Sequence, residues 1–285
     1  MRISSIPKVV ALLACPLCSE PLTVASDAAL SCTAGHTFDV SREGYVSLLA
    51  GKALTSTADT PAMIAARETF LSAGHYEPIR DAVAQVLSRT LAEKAKGAIV
   101  EVGAGTGYYL AGALESQPGR VGLSLDTSKP ALRRAARIHD RAGAVACDVW
   151  GRMPIRDKVA AAVLDIFAPR NIAEMARIIA PGGVVMVVTP RPGHLAELVG
   201  ILGLLNVDER KADRLEGKMA GHFAVAESLV VKQTMALTRT DVAALAGMGP
   251  SAYHTDKAAL ETRIAGLPES TPVTLEVTVA AYLAL

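Results

Sequence analysis

Four metal-ligating side chains near the start of the chain constrain its fold most: Cys15 and Cys18 in a Cys-Pro-Leu-Cys turn, then Cys32 and His36 in Cys-Thr-Ala-Gly-His. Cys15 and Cys18 can present two thiolates from one tight knuckle, and the thirteen residues before Cys32 leave room for a hairpin to return the second pair. Such a donor set closes a tetrahedral Cys3His zinc site with no open coordination position, so the expected Zn2+ is structural. Around it, residues 14–50 read as short strands and turns with a thin candidate core of Leu17, Leu22, Leu30, Phe38, Val40, Tyr45, Val46 and Leu48. So few apolar groups do not offset the ordering entropy of an isolated module, which makes a metal staple physically expected. The competing reading is a redox Cys-x-x-Cys pair, but that motif belongs to a different strand and helix context.

At 285 residues and 51% hydrophobic, the chain is long enough for this module and one large globular domain. A formal net charge of +1 means that any polyanion must be met by a local patch. Three of the four cysteines fall beside His36 and Cys147 stands alone, a pattern that favours metal over disulfides and a reducing, cytoplasmic setting. The apolar run Val9 to Ala14 before Cys15 has the form of a lipidated leader, yet it is short and would leave Cys18 unexplained. No stretch approaches the ~20 apolar residues that span a bilayer, so no membrane partner is expected.

Residues 51–60 are polar and small, a linker by composition. Pro61 opens a helix that Gly74 ends, and a second helix runs from about Pro78 to Leu91 with Ile79, Val83, Val86 and Leu87 on one face. Strands then alternate with helices: Ala98 to Val102, Val121 to Leu125, Ala144 to Ala146, Val159 to Phe167 and Val184 to Val188. Alternation of this kind predicts a doubly wound parallel sheet. The tail differs, with strands at Ser228 to Leu237 and Val273 to Leu283 around a helix near Asp241 to Ala246, which suits an antiparallel pair at one sheet edge. The expected organisation is a zinc-binding module over residues 1–50, linker helices over 51–95 and a Rossmann-like α/β domain over 96–285.

Between the first strand and the next helix lies Glu101-Val-Gly103-Ala-Gly105-Thr106-Gly107. Glycines let the backbone turn tightly against a ligand, and Asp126 at the next strand end is placed for ribose hydroxyls. An NAD site more often reads GxGxxG around a pyrophosphate. Here a carboxylate precedes the glycines by two positions, which suits the cationic cofactor S-adenosylmethionine. Asp148, after the third strand, is expected at the adenine edge. Asp165, ending the fourth strand before Ile-Phe167-Ala-Pro169, stands where open α/β sheets meet substrate, although an ordinary strand-end aspartate would look the same.

Taken together, the landmarks resemble the bacterial 23S rRNA guanine-N1 methyltransferases, a family that includes a tylosin-type macrolide-resistance enzyme. The resemblance runs through CPLC and CTAGH, Arg42-Glu-Gly-Tyr-Val-Ser-Leu-Leu49, Ala66-Arg-Glu-Thr-Phe70 to His75-Tyr76-Glu-Pro-Ile-Arg-Asp81, and Gly105-Thr-Gly-Tyr-Tyr109. It continues through Gly122-Leu-Ser-Leu-Asp126-Thr-Ser-Lys129, Ala168-Pro169, Pro181-Gly-Gly183 and Thr189-Pro-Arg-Pro-Gly-His194-Leu195, so it covers nearly the whole chain. It implies a class I Rossmann-like methyltransferase fold and a methyl-donor site drawing on Tyr76, Gly105, Thr106, Asp126 and His194. It also implies a homodimer whose paired clefts take an RNA hairpin in domain II of 23S rRNA, near the peptide exit tunnel, and a zinc module that helps to recognise it.

Methyl transfer from a sulfonium needs mainly orientation and desolvation. Guanine N1 must also lose its proton, and Asp165 is the candidate acceptor, with loss to water as the alternative. N1 lies on the pairing edge, so the target is an unpaired or flipped base, against which Phe167 could stack. The fourth strand lacks the Asn-Pro-Pro-Tyr pattern of exocyclic-amine methyltransferases, which suits a ring nitrogen. For RNA contact the candidates are Arg42, Lys52 and Arg67 around the module and linker. Arg133, Arg134, Arg137 and Arg141 form a second cluster that reads first as a solvated helix face. Two rivals remain: an S-adenosylmethionine-dependent small-molecule methyltransferase, which has no need of the zinc module, and a noncatalytic zinc-bearing RNA-binding protein, which has no need of the glycines and Asp126.

Overall fold

The computed structural model describes residues 5–49, 58–202, 217–249 and 257–285. A short helix α1 (Ile6–Val9) precedes three small strands, β1 (Thr23–Ser26), β2 (Ala29–Ser31) and β3 (Thr37–Asp39), which pair antiparallel as a separate sheet. The next strand, β4 (Tyr45–Ser47), leaves that sheet and pairs parallel with a strand of the main body. Helices α2 (Pro61–Ser72) and α3 (Glu77–Thr90) follow. The body then alternates β5 (Ala98–Val102), α4 (Tyr108–Ser116), β6 (Gly122–Asp126), α5 (Lys129–Ile138), β7 (Ala142–Ala146), β8 (Ala160–Ile166), α6 (Ile172–Ile178), β9 (Ile179–Pro190) and α7 (Ala196–Leu202). It closes with β10 (Phe223–Thr238), α8 (Arg239–Met248), α9 (Lys257–Ala265) and β11 (Ser270–Ala284).

The main sheet runs β10-β11-β9-β8-β5-β6-β7-β4, parallel from β4 to β9, with β11 antiparallel to β9 and β10 antiparallel to β11. A parallel sheet finished by an antiparallel pair at one edge is the class I Rossmann-like methyltransferase arrangement expected from the sequence. Central strands such as β8, Ala-Ala-Ala-Val-Leu-Asp-Ile, are buried along their whole length because helices cover both faces. Successive residues therefore serve opposite cores. Ile99, Leu164 and Val184 join α3, α4 and the C-terminal helices, whereas Val100, Val163 and Val185 join α1, α6 and the N-terminal module.

Several expectations move by a few residues. β9 starts at Ile179 rather than Val184, because Pro181-Gly182-Gly183 is absorbed into the strand as an irregularity, with Gly182 at φ +75° and a register shift against β8 between Ala160 and Ala162. β7 starts at Ala142, where Gly143 admits the Val9 side chain: a Cβ there would come within 2.4 Å of it. Leu17, expected in the module core, is 61% exposed, and Phe38 and Val40 are only partly buried. The shortfall is met from outside, since Cys15, Leu22, Leu30 and Cys32 share one apolar cluster with Met153 and Ile155 of the body. The helices expected as linkers are no loose tether either, as Ile79, Val83, Val86 and Leu87 of α3 are fully buried on the sheet. No helix among the described residues is long and apolar enough to cross a membrane.

Candidate cofactor cleft and metal centre

The four predicted metal ligands converge. Cys15 Sγ lies 3.6 Å from His36 Nδ1, Cys32 Sγ lies 3.4 Å from the same nitrogen, and Cys18 Sγ lies 3.6 Å from Cys32 Sγ. All four ligand atoms fall within 4.8 Å of one another. A tetrahedron built on Zn–S and Zn–N distances of about 2.3 and 2.0 Å has edges of about 3.5–3.8 Å, so these donors fit zinc. Local turns make the convergence possible. Leu17 N–H donates to Cys15 Sγ, Ser19 takes φ +64° to end the first knuckle, and Gly35 at φ +82° donates its N–H to Cys32 O in the second. No cysteine is in a disulfide, and Cys147 is buried outside the ligand group, where burial pushes its thiol pKa up.

The glycine loop bends between β5 and α4. Gly103, Gly105 and Gly107 all adopt left-handed φ, at +63°, +53° and +79°. This is a conformation that costs other residues about 1–2 kcal/mol each. A Cβ at Gly103 would press on Ala168 at 2.8 Å, and one at Gly105 on the Arg67 guanidinium at 2.9 Å. The two acidic residues of the motif brace the loop from its ends. Glu101, only 2% exposed, accepts from Leu110 N–H at 3.1 Å and so caps α4, with burial raising its pKa to about 8. Asp126 accepts from Gly105 N–H and Ser128 N–H, each at 2.8 Å, tying the ends of β5 and β6 together. Thr106 is buried within the same loop.

Tyr76 and His194, 118 residues apart in sequence, meet over this region. Glu276 N–H donates to His194 Nδ1 at 3.3 Å, so in the neutral ring the proton sits on Nε2, which faces Tyr76 Oη at 3.2 Å. Burial lowers the His194 pKa to about 4, which keeps the ring neutral. With Nε2–H donating, the Tyr76 hydroxyl proton is left for a third group. Phe167, held at φ +55° after β8, stacks on His194 with 18° between the ring planes and centroids 6.0 Å apart. It is 41% exposed and flanks Ala168, the residue that would meet a Cβ at Gly103, so the aromatic cluster and the loop lie side by side.

Asp165 is completely buried, with Arg170 Nε 3.2 Å from its carboxyl and burial raising its pKa to about 8. It lies beneath the Phe167 to Arg170 turn, so contact with a base requires that turn to move. Asp148 is half-buried beyond β7 and accepts from Trp150 N–H at 2.9 Å, while Trp150 itself is 66% exposed.

The basic candidates separate. Arg42 is exposed on the module, and Lys52 lies outside the described residues. Arg67 turns inward: it pairs with Asp59, donates to Met248 O at 3.0 Å and lies over Gly105. Arg141 is no part of a helix face, since it follows the end of α5 and donates to the carbonyls of Leu114, Gln117 and Arg120. Sequence reasoning missed the strap across the loop made by Asp59 and Arg67, with Ser128 Oγ donating to Asp59 O at 2.8 Å. No local pattern announces a contact that long in range.

The N-terminal domain model of RlmA, a zinc ribbon, matches residues 13–54. A 23S rRNA (guanine(748)-N(1))-methyltransferase of Streptomyces fradiae is 46% identical over 95% of this chain and 96% of its own length. A candidate 23S rRNA (guanine-N1)-methyltransferase of Micromonospora griseorubida is 47% identical over 95% of this chain and 96% of its own length. Likeness of that degree spans the ribbon, both connecting helices and the cleft, and the chain belongs to the family of the 23S rRNA (guanine-N1)-methyltransferases.

Proposed function

We propose that this protein transfers a methyl group from S-adenosylmethionine to N1 of a guanine in 23S rRNA. The target we assign is the domain II hairpin loop near the peptide exit tunnel, at the nucleotide for which the S. fradiae relative is named, guanine 748. The single observation that carries the reading is the cleft itself. A left-handed glycine loop is braced by Asp126 beside a Tyr76 hydroxyl that accepts from His194 and keeps its own proton, in a chain whose zinc ribbon forms a separate small sheet linked through β4 to the main one.

The methyl donor supplies a carbon already activated by its positive sulfonium, so the protein's tasks are orientation and the N1 proton. Gly103, Gly105, Thr106 and Gly107 offer backbone at close range, Asp126 accepts from the ribose hydroxyls, and Asp148 accepts from the adenine amine. Tyr76, oriented by His194, donates its free hydroxyl proton to the donor's carboxylate end. Glu101 keeps a carboxyl close to a cationic ligand, which favours its ionised form. Asp165 accepts the N1 proton once opening of the Phe167 to Arg170 turn lets water reach its carboxyl and ionise it, and Phe167 stacks on the target base. The same reading has the chain working in the cytoplasm as a homodimer around one RNA hairpin, contributing to macrolide resistance.

Zinc-loaded protein incubated with labelled S-adenosylmethionine and unmodified 23S rRNA should deposit label as N1-methylguanine and create one reverse-transcription stop at that loop. Cofactor binding with no transfer to RNA would overturn the rRNA reading in favour of a small-molecule substrate.

A further inference from the structure

A cleft of about 190 Å³ opens where the ribbon, α2 and α5 meet. Its lining is Glu43 from the ribbon, Pro61 and Ile64 from α2, and Pro130, Arg133, Arg134 and Arg137 from α5. Three guanidinium groups therefore share one recess with a single carboxylate, in a protein whose overall charge is only +1. Arg133 and Arg134 are about half exposed, at 53% and 52% of their side-chain surface. Their partners come from different units: Glu43 Oε1 lies 3.6 Å from Arg133, and Glu68 Oε2 of α2 lies 3.2 Å from Arg134. Glu43 is held below the usual carboxylate range by the Ser41 hydroxyl and its own backbone N–H, with Arg133 and Arg137 adding to the effect.

These contacts distinguish the cluster from an ordinary solvated helix face. Arg141, its neighbour in sequence, is consumed in closing the α4 C-terminus, whereas Arg133, Arg134 and Arg137 line an open recess. Ion pairs this exposed are screened by water and contribute little, so a phosphate can displace either carboxylate at little cost. Guanidinium groups also bind phosphate oxygens through two parallel N–H donors. Residues three and four apart on a helix hold their Cβ atoms about 5–6 Å from each other, which spreads the three cations along one edge. That edge begins beside the glycine loop, since α5 starts directly after Ser128, whose N–H donates to Asp126 and whose hydroxyl both caps Ala131 N–H and binds Asp59 O.

We propose that the Arg133, Arg134 and Arg137 cleft is a backbone-phosphate clamp that leads one RNA strand from the zinc ribbon to the cofactor cleft. This rests on the rRNA reading above, and it moves the main phosphate contact from the arginines around the module and linker to α5. The ribbon supplies a wall of the clamp through Glu43, so ribbon docking and phosphate capture depend on each other.

The test is the salt dependence of binding to a protein-free 23S rRNA transcript by the zinc-loaded full chain. It compares wild type, the double variant R133Q/R137Q, the charge-keeping R133K/R137K, and R42Q. Each lost phosphate contact should flatten the plot of log K against log salt by about 1. We expect R133Q/R137Q to flatten it by about 2, R133K/R137K to keep the wild-type slope and R42Q to change it by less than either lost contact. S-adenosylmethionine affinity should be the same in all four proteins. Wild-type transfer with an unchanged slope in R133Q/R137Q would overturn the clamp and leave the function standing. So would a slope lost equally in the lysine variant, or lost only in R42Q. A wild type that neither binds nor methylates the transcript would overturn the function and the clamp together.

Discussion

The zinc ribbon and the cofactor cleft are both built on left-handed turns around a place for a charged guest, yet they are held together in opposite ways. In the ribbon, Ser19 and Gly35 turn the chain so that four ligands face one another, and of the module's expected core residues ahead of β4 only Leu22 and Leu30 are buried. In the cleft, Gly103, Gly105 and Gly107 turn the chain, but Asp126, Glu101 and the Tyr76–His194 pair already satisfy the loop and its surroundings with protein groups. The first site therefore needs its guest in order to fold, and the second is shaped before its guest arrives. Structural zinc contributes its binding energy directly to folding, whereas a preorganised ligand site spends folding energy in advance and loses less on binding.

The largest effect should come from the metal. Chelation, or Cys32→Ser, should melt β1 to β3 and lower rRNA methylation by at least about a hundredfold, while cofactor binding by the body falls far less. Amide hydrogen exchange read region by region, alongside calorimetric titration of the cofactor, would check this. Equal protection of the ribbon with and without metal would break the contrast.

A second effect concerns the buried carboxyls beneath the cleft. Asp165 has a folded pKa of about 8, raised by burial above its ordinary value near 3.8, so it stays protonated in the fold while the unfolded chain ionises above about pH 4. Stability should thus fall as pH rises from about 4 to about 8 and level off beyond. Asp165→Asn removes that share, so its melting temperature should gain on wild type across this window and gain no more above it. A gap that does not vary with pH would show an ionised Asp165 paired with Arg170.

The smallest effect should follow Tyr76→Phe, which strands the His194 Nε2–H in a buried place. Leaving such a donor unpaired costs about 1–3 kcal/mol, and cofactor affinity should weaken roughly tenfold with the ribbon untouched. Titration calorimetry measures the first and zinc content the second. Unchanged affinity would mean that the cleft does not use this hydroxyl.

Much of this contrast could be read from local pattern. Cys-x-x-Cys, the glycine run and the strand-end aspartates carry their geometry within a few residues, and the β and α periods showed the alternation of strands and helices along the chain and the antiparallel pair at one edge. The rest depended on tertiary contacts that spacing does not encode. Arg67 looked like a surface cation but folds over Gly105 toward Met248, and Arg141 looked like part of a helix face but closes α4 instead. Asp165 looked like a residue of the open strand end, yet the Phe167 to Arg170 turn covers it completely. Leu17 looked apolar enough for a core and lies outside it, while the ribbon draws on Met153 and Ile155 of the body.

That borrowing bears on how the protein can be cut and recombined. β4, with Tyr45 and Val46 buried, is hydrogen-bonded to β7 as the outermost strand of the main sheet, although it follows the ribbon directly in the chain. A cassette removed at residue 50 would carry away a strand that shields β7 and expose a bare parallel edge next to Asp148. The ribbon is thus no interchangeable specificity cassette. Grafting it between relatives should succeed only when the seam is moved upstream of Tyr45, so that β4 stays with the sheet it completes.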